Sequence, residues 1–460
     1  MVGMEPVSTE SDTQHQGEVS PVQPPKGSGT DTGMSEVGQG NHAPLKNLFK
    51  VLGPGLITGA SDDDPSGIGT YTAAGASLGY STLWTALLTF PLMTVVQYLC
   101  AKVGMASGRG LAGVLKKYYS PWVVYPAVFA LFLANTINIG ADLGAIAAAM
   151  NLFLPLPIPL LIVPVTLILL ALQIWGSYRL IEQIFRWLTL ALFAYIVSAF
   201  VAHPDGLALL KGTFLPTFRV DGTFIATLVA IIGTTISPYL FFWQSDQEVE
   251  DAISKGKTNL KQRQRVTKKE LRLASWDVTV GMLISNVVMY CIILATAATL
   301  FRTGKHDIQS ATDAAQALRP IAGNFASILL SIGLIGSGCL GVPVLAGSAA
   351  YALSEAFGWK YGLERRPGGA KHFYAIIVVA MLTGMLMNFL GINPISALFW
   401  TAVINGILAP PLLVLLMLIV NNEKIMKKRT NGLWLNIFGW LTTTLMFVAA
   451  IALLLTLGKS

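Results

Sequence analysis

Residues 62–67 read DDDPSG, and they stand between two apolar runs, GPGLITGAS and IGTYTAAGASLGY. A second polar interruption, GTTISPYLFFWQ, covers residues 233–244. Each holds a proline that follows small polar residues. Proline lacks a backbone N–H and clashes with the preceding turn, so it breaks a helix. Carbonyls freed in this way inside a membrane must find other partners. A carboxylate beside unwound carbonyls and hydroxyls is an all-oxygen shell. Such a shell suits hard cations such as Mg2+, Ca2+ or Mn2+, whereas softer metals favour sulfur or imidazole. Asp64 directly precedes Pro65 and is the expected anionic ligand; Thr234 offers its carbonyl, and Ser237 a hydroxyl or carbonyl. None of the five histidines lies inside an apolar run, and no methionine falls between residues 221 and 252.

The elements that must position these residues are membrane helices. The 460-residue chain is 53% hydrophobic and only 12% charged, against roughly 25% charged residues in soluble domains. Its 44 glycines would let such helices approach closely. Cys100, Cys291 and Cys339 fall far apart in apolar runs, which points to packing and not to a disulfide or metal framework. The net charge of +7 gathers in loops, as in KGKTNLKQRQRVTKKELR after the sixth run. That pattern speaks for membrane topology and against a nucleic-acid partner.

Eleven spans are expected, near 49–79, 82–106, 122–152, 157–175, 181–202, 222–252, 275–301, 321–357, 373–391, 395–420 and 433–457. The first and sixth are interrupted. Pro343 and its neighbouring glycines permit a bend in the eighth. Alternating loop charge places the N-terminus in the cytoplasm and the C-terminus outside, in a multi-pass protein of the plasma (inner) membrane. Residues 1–44 are polar and aperiodic, and read as a disordered cytoplasmic tail. Residues 45–205 and 206–422 would form two five-span halves, with the eleventh span in 423–460. The two breaks then occupy the same place in each half, the pattern that marks a transporter's midplane site. An ordinary proline kink needs no aspartate, and a carboxylate buried in a membrane is expensive enough to imply a function. An enzyme would need a catalytic pair or metal triad within the spans, and none is found.

Across nearly all of the chain beyond the tail, from GPGLITGASDDDPSG through TTISPY, the sequence resembles the NRAMP family of divalent metal transporters. The resemblance implies an all-α LeuT-type fold: two inverted five-helix repeats, broken helices 1 and 6, and an eleventh helix. The family's DPGN motif corresponds to Asp64-Pro65-Ser66-Gly67, and its Ala-x-x-Met-Pro-His motif to Thr234 through Tyr239. Its metal-binding Asn is therefore Gly67, its thioether ligand is Ser237, its following His is Tyr239 and its next His is Gln244. The implied metal residues are Asp64, Gly67, Thr234 and Ser237. Losing sulfur removes the preference for soft metals. Smaller side chains would widen the pocket for an ion that keeps part of its water, as Mg2+ does. The pattern is closest to the NRAMP-related magnesium transporters.

The resemblance implies a secondary transporter importing Mg2+, and also Mn2+, by alternating access. The metal is cargo; no cofactor is expected, and the chain is expected to be a monomer in the bilayer. Family members that couple to protons carry an acidic pair on span 3, a His on span 6 and arginines on span 9. Here span 3 has one acid, Asp142, and span 9 has no charge in its core. Uncoupled transport is therefore expected, driven by about 4.6 kcal/mol per divalent ion at 100 mV. The alternative is a proton-coupled Mn2+/Fe2+ symporter. Asp62 and Asp63 either line the approach to the site or form a solvated turn. Asp246, Glu248, Glu250 and Asp251 either form a cation vestibule or pair with the basic loop that follows. Asn138, Asn286, Asn388 and Asn405 are expected to hydrogen-bond between helices. Trp122, Trp187 and Trp434 are expected at the membrane interfaces.

Overall fold

The computed structural model describes residues 53–457 except 177–179, 181–182, 185–186, 220, 305–310, 364 and 392. The expected tail, residues 1–44, lies outside the described residues. The described chain is helical throughout. In order, the main helices are α1 (Pro54–Asp62), α2 (Pro65–Leu78), α3 (Trp84–Ser107), α4 (Leu111–Tyr118), α5 (Pro121–Asn151) and α6 (Ile158–Trp175). Then come α7 (Phe193–Val201), α8 (Gly206–Phe214), α9 (Gly222–Thr235), α10 (Pro238–Ser254), α11 (Lys268–Thr296) and α12 (Ala311–Phe357). The last three are α13 (Lys371–Met387), α14 (Pro394–Val420) and α15 (Leu433–Leu457).

Both expected interruptions are real breaks of two residues. Between α1 and α2, Asp63 has φ −89° and ψ 48°, and Asp64 has φ −66° and ψ 168°. Between α9 and α10, Ile236 has φ −114° and ψ 60°, and Ser237 has φ −79° and ψ 131°. Each second half begins with its proline, Pro65 or Pro238. There the missing N–H is no loss and the fixed φ suits a helix start.

Among the described residues, nine helices are long and apolar enough to cross a membrane, with Gly222–Ser254 counted as one across its break. The first expected span is the pair α1 and α2, each too short to cross alone. The fifth retains a shorter apolar helix over Thr189–Val201, and part of its expected range lies outside the described residues. The bend permitted at Pro343 does not interrupt α12, which runs as one helix to Phe357. Donors from neighbouring helices reach its carbonyls there: Gln173 Nε2 to Pro343 O at 2.6 Å and Asn135 Nδ2 to Leu345 O at 2.9 Å. Trp122, Trp187 and Trp434 are exposed, as interface anchors should be.

The broken helices lie at the centre, and every residue of α1 is buried. A helix start leaves backbone N–H groups without partners, and the Gly53 N-cap has no side chain to satisfy them. Asp277 of α11 supplies the oxygens, at 2.8 Å from Gly53 N and 2.7 Å from Gly55 N. At the other end of α1, Ser285 Oγ donates to Asp62 Oδ2 at 2.8 Å. Between these contacts α1 and α11 touch through glycine: a Cβ on Gly59 would fall inside the Gly281 backbone. Gly59→Val should therefore destabilise the protein by about 1–3 kcal/mol or more, seen as a lower melting temperature in detergent. Gly222→Ala, where a Cβ meets nothing, should leave that temperature unchanged.

Candidate functional site

Proline at position i removes the donor for the carbonyl at i−4. Pro65 thus orphans the Ser61 carbonyl, and Pro238 orphans that of Thr234. Hydroxyls fill both vacancies. Tyr239 OH donates to Ser61 O at 2.7 Å. Ser237 Oγ donates to Thr234 O at 2.6 Å and approaches Gly233 O at 3.0 Å. The two breaks are therefore stitched together by Tyr239, which begins the second half-helix of one and closes the last turn before the other.

Asp64 is the N-cap of α2, with its Oδ1 accepting from Gly67 N at 2.8 Å. Its Oδ2 accepts from Asn138 Nδ2 of α5 at 3.0 Å, and the Tyr239 hydroxyl, whose proton goes to Ser61 O, approaches it at 3.4 Å. Asp64, Thr234 and Ser237 are all buried. Gly67 faces Thr234: a Cβ on Gly67 would lie 3.3 Å from Thr234 Oγ1, 3.2 Å from Asp62 O and 3.4 Å from Tyr71 Cε2. The structure thus brings Asp64, Gly67, Thr234 and Ser237 together at the two breaks. Beside Gly67 itself the space is taken by Tyr71 and Thr234. Tyr71 OH also meets Thr235 Oγ1 at 3.3 Å. The Thr234 carbonyl is already accepting from Ser237, but a carbonyl oxygen keeps a second lone pair.

Further carboxylates crowd this point. Asp142 of α5 lies beside Asp64: a Cβ on Gly341 would stand 2.8 Å from Asp64 Cβ and 3.7 Å from Asp142 Oδ2. Both Asp142 oxygens are buried without a hydrogen bond, as are both of Asp63 and Oδ1 of Asp62. Asp62 and Asp63 are fully buried, so the solvated-turn alternative fails; Asp62 ends α1 and is held by Ser285. Among the described residues, no three acidic, histidine or cysteine side chains are grouped closely enough to hold a metal ion. An ion at Asp64 would take one carboxylate, carbonyl and hydroxyl oxygens, and water.

Three of the asparagines bond between helices as expected. Asn138 reaches Asp64, Asn286 reaches Thr89 Oγ1 at 3.1 Å, and Asn388 reaches Gly140 O at 2.8 Å. Of the four acids at the end of α10, Asp251 pairs with Lys255 at 2.6 Å. Glu248 instead accepts from Gln244 at 3.0 Å, and Asp246, Glu248 and Glu250 are buried. Sequence reasoning did not assign Asn138 and Tyr239 to the Asp64 site. Asn138 stands four residues before Asp142, on the same helix face, and that spacing was a usable signal.

Half-helices meeting at a buried carboxylate, inside a bundle of apolar helices, define an α-helical membrane carrier. Residues 55–456 match the family described as natural resistance-associated macrophage protein-like (Nramp). The chain belongs to that family, whose members are transporters and not enzymes. It is 26% identical over 411 residues to the divalent metal cation transporter MntH of Bacillus subtilis, covering 87% of this chain and 91% of that one. It is also 26% identical to MntH of Deinococcus radiodurans, covering 87% and 88%. In fold it is similar to a manganese transporter of Eremococcus coleocola, with a TM-score of 0.72 at 18% identity, covering 91% and 88% of the two chains. The nucleobase-cation-symport-1 family transporter Mhp1 in a closed conformation gives a TM-score of 0.57 at 15% identity, covering 88% and 91%. The LeuT-type fold implied by the sequence is the fold found. Asn138→Leu would leave Asp64 Oδ2 with only the long Tyr239 contact, so it should lower stability by about 1–3 kcal/mol, read as a fall in melting temperature.

Proposed function

We propose that this chain carries divalent metal ions across the membrane by alternating access. Asp64 is the anionic ligand; oxygens of Thr234 and Ser237 and the backbone at Gly67 complete the shell with water. The observation that carries this reading is one buried carboxylate at the meeting point of two broken helices. The metal is cargo, not a resident cofactor. The relatives named as divalent metal cation and manganese transporters support Mn2+ as a substrate. The donor set supports Mg2+ as well, since oxygen ligands suit hard ions and Mg2+ keeps several waters. We further propose import into a cytoplasm that also holds the N-terminus, by a monomer in the plasma membrane, following the loop charges. The two five-span halves are 45–205 and 206–422, with the eleventh span in 423–460.

Two readings of energy coupling remain, each with its own support. Histidine is missing from both broken spans and α13 carries no charge beyond its first residues, which supports uncoupled transport of Mg2+ driven by the membrane potential. Kinship to manganese transporters, and the buried Asp142 carboxylate beside Asp64, support proton-coupled transport of Mn2+ or Fe2+. The second is the reading that the relatives favour.

The test is uptake of Mg2+ and of Mn2+ into proteoliposomes with a pH dye inside. Asp64→Ala should reduce both fluxes to the level of empty liposomes; unchanged flux would contradict the site. Ser237→Met should shift preference toward Mn2+ and softer ions. Metal-driven acidification that disappears in Asp142→Asn would establish the proton-coupled reading, and uptake without any pH change the uncoupled one.

A further inference from the structure

A second group of buried carboxylates lies along α10, away from the break. Asp246 follows Pro238 by two turns of helix, about 12 Å of rise. Beside it stands Glu355 of α12. Both Asp246 Oδ1 and Glu355 Oε2 lie within 2.5 Å of the one point that a Cβ on Gly110 would occupy. Gly110 is the N-cap of α4, and only a glycine admits the two carboxylates there.

The two acids are not equivalent. Glu355 is held by three donors: it accepts from Gly110 N at 2.9 Å, Gly113 N at 2.7 Å and Tyr361 OH at 2.7 Å. It thereby satisfies the start of α4 and draws on the positive end of that helix. Leu111 N goes to Ser245 Oγ at 2.9 Å. Asp246 is left with nothing. It is 1% exposed, and neither oxygen has a hydrogen-bond partner. No ion pair among the described residues reaches Asp246 or Glu355. Glu250, one turn further along α10, accepts from Tyr351 OH at 2.9 Å and adds to the negative charge. Arg109 bears electrostatically on Glu355, but Asp246, buried against that second carboxylate with neither a hydrogen bond nor an ion pair, is an open anionic position that suits a cation.

We propose that Asp246 and Glu355 hold a hard divalent cation at a second station, distinct from the one at Asp64. Asp246 is its direct ligand, and Glu355 contributes the one lone pair that its hydrogen bonds leave on Oε2. With no third acidic, histidine or cysteine side chain grouped with them, the ion keeps most of its water. That mode of binding, through one or two carboxylates and several waters, is characteristic of Mg2+. The station lies on the half-helix that leads away from the transport site, next to the basic loop.

Equilibrium binding to the full-length chain in nanodiscs tests this, with Mn2+ as the spectroscopically visible probe and Mg2+ as competitor. The wild type should bind two ions per chain. Asp64→Ala and Asp246→Asn should each bind one, and the double variant none. Without divalent ions, Asp246→Asn should melt no lower than the wild type, because it removes an uncompensated charge; Asp246→Ser serves as a second variant with the same expectation. The proposal is overturned if Asp246→Asn and Asp246→Ser still bind two ions, or if Asp64→Ala alone abolishes all binding. Failure of the Asp64 site has a different signature: Asp64→Ala would then keep both ions while Asp246→Asn lost one.

Discussion

Two prolines each take a hydrogen-bond donor away from a carbonyl in the middle of a buried helix, and the centre of the molecule is built around making good that loss. The Ser61 and Thr234 carbonyls each receive a hydroxyl, from Tyr239 and Ser237. Both hydroxyls sit at the start of α10, so the repair of one break also joins it to the other. An unmade hydrogen bond at such depth costs several kcal/mol, which is why the breaks do not stand apart. The Asp64 carboxylate caps α2 at this junction, where unwound backbone and hydroxyl oxygens already converge.

Two sets of contacts meet at that junction. α1 belongs with α11, through Asp277 at its start, the Gly59–Gly281 contact in the middle and Ser285 at its end. α10 belongs with α12: Ser348 Oγ donates to Tyr239 O at 2.7 Å, and Tyr351 OH reaches Glu250. Tyr239 is a hydrogen-bonded link between the sets, through Ser61 O, and α3 packs against both α10 and α11. In the transport reading, opening the site toward one side means parting α1 from α10 at this tyrosine while each half stays attached to its own partner. Differential contacts of an ion with the two arrangements would then supply the drive for the change.

Much of this was legible in the amino-acid order. DDDPSG and TTISPY located both breaks, because a proline after small polar residues leaves a helix little choice. Composition and loop charge specified a helical membrane protein. What was less legible depends on distance in three dimensions. Asp62 and Asp63 look like a turn in sequence, but α11 and its Ser285 bury them. Gly67 suggests empty space, yet Thr234 of α9 comes up to its face, beside Tyr71 from the next turn of α2. The acids after Trp243 were readable as partners of the basic loop; Asp251 behaves so, whereas Asp246 and Glu248 are buried against other helices. The cap that Asp277 places on α1 joins positions more than two hundred residues apart, and no local pattern announces it.

The central claim is that an ion docks on the Asp64 carboxylate where the two breaks meet. The most direct test is an anomalous diffraction map from crystals grown with Mn2+. It should show a peak within direct or single-water reach of Asp64 and of the Thr234 and Ser237 oxygens, absent in Asp64→Ala crystals. Anomalous density elsewhere with none at Asp64, or a peak there that survives Asp64→Ala, would contradict the account.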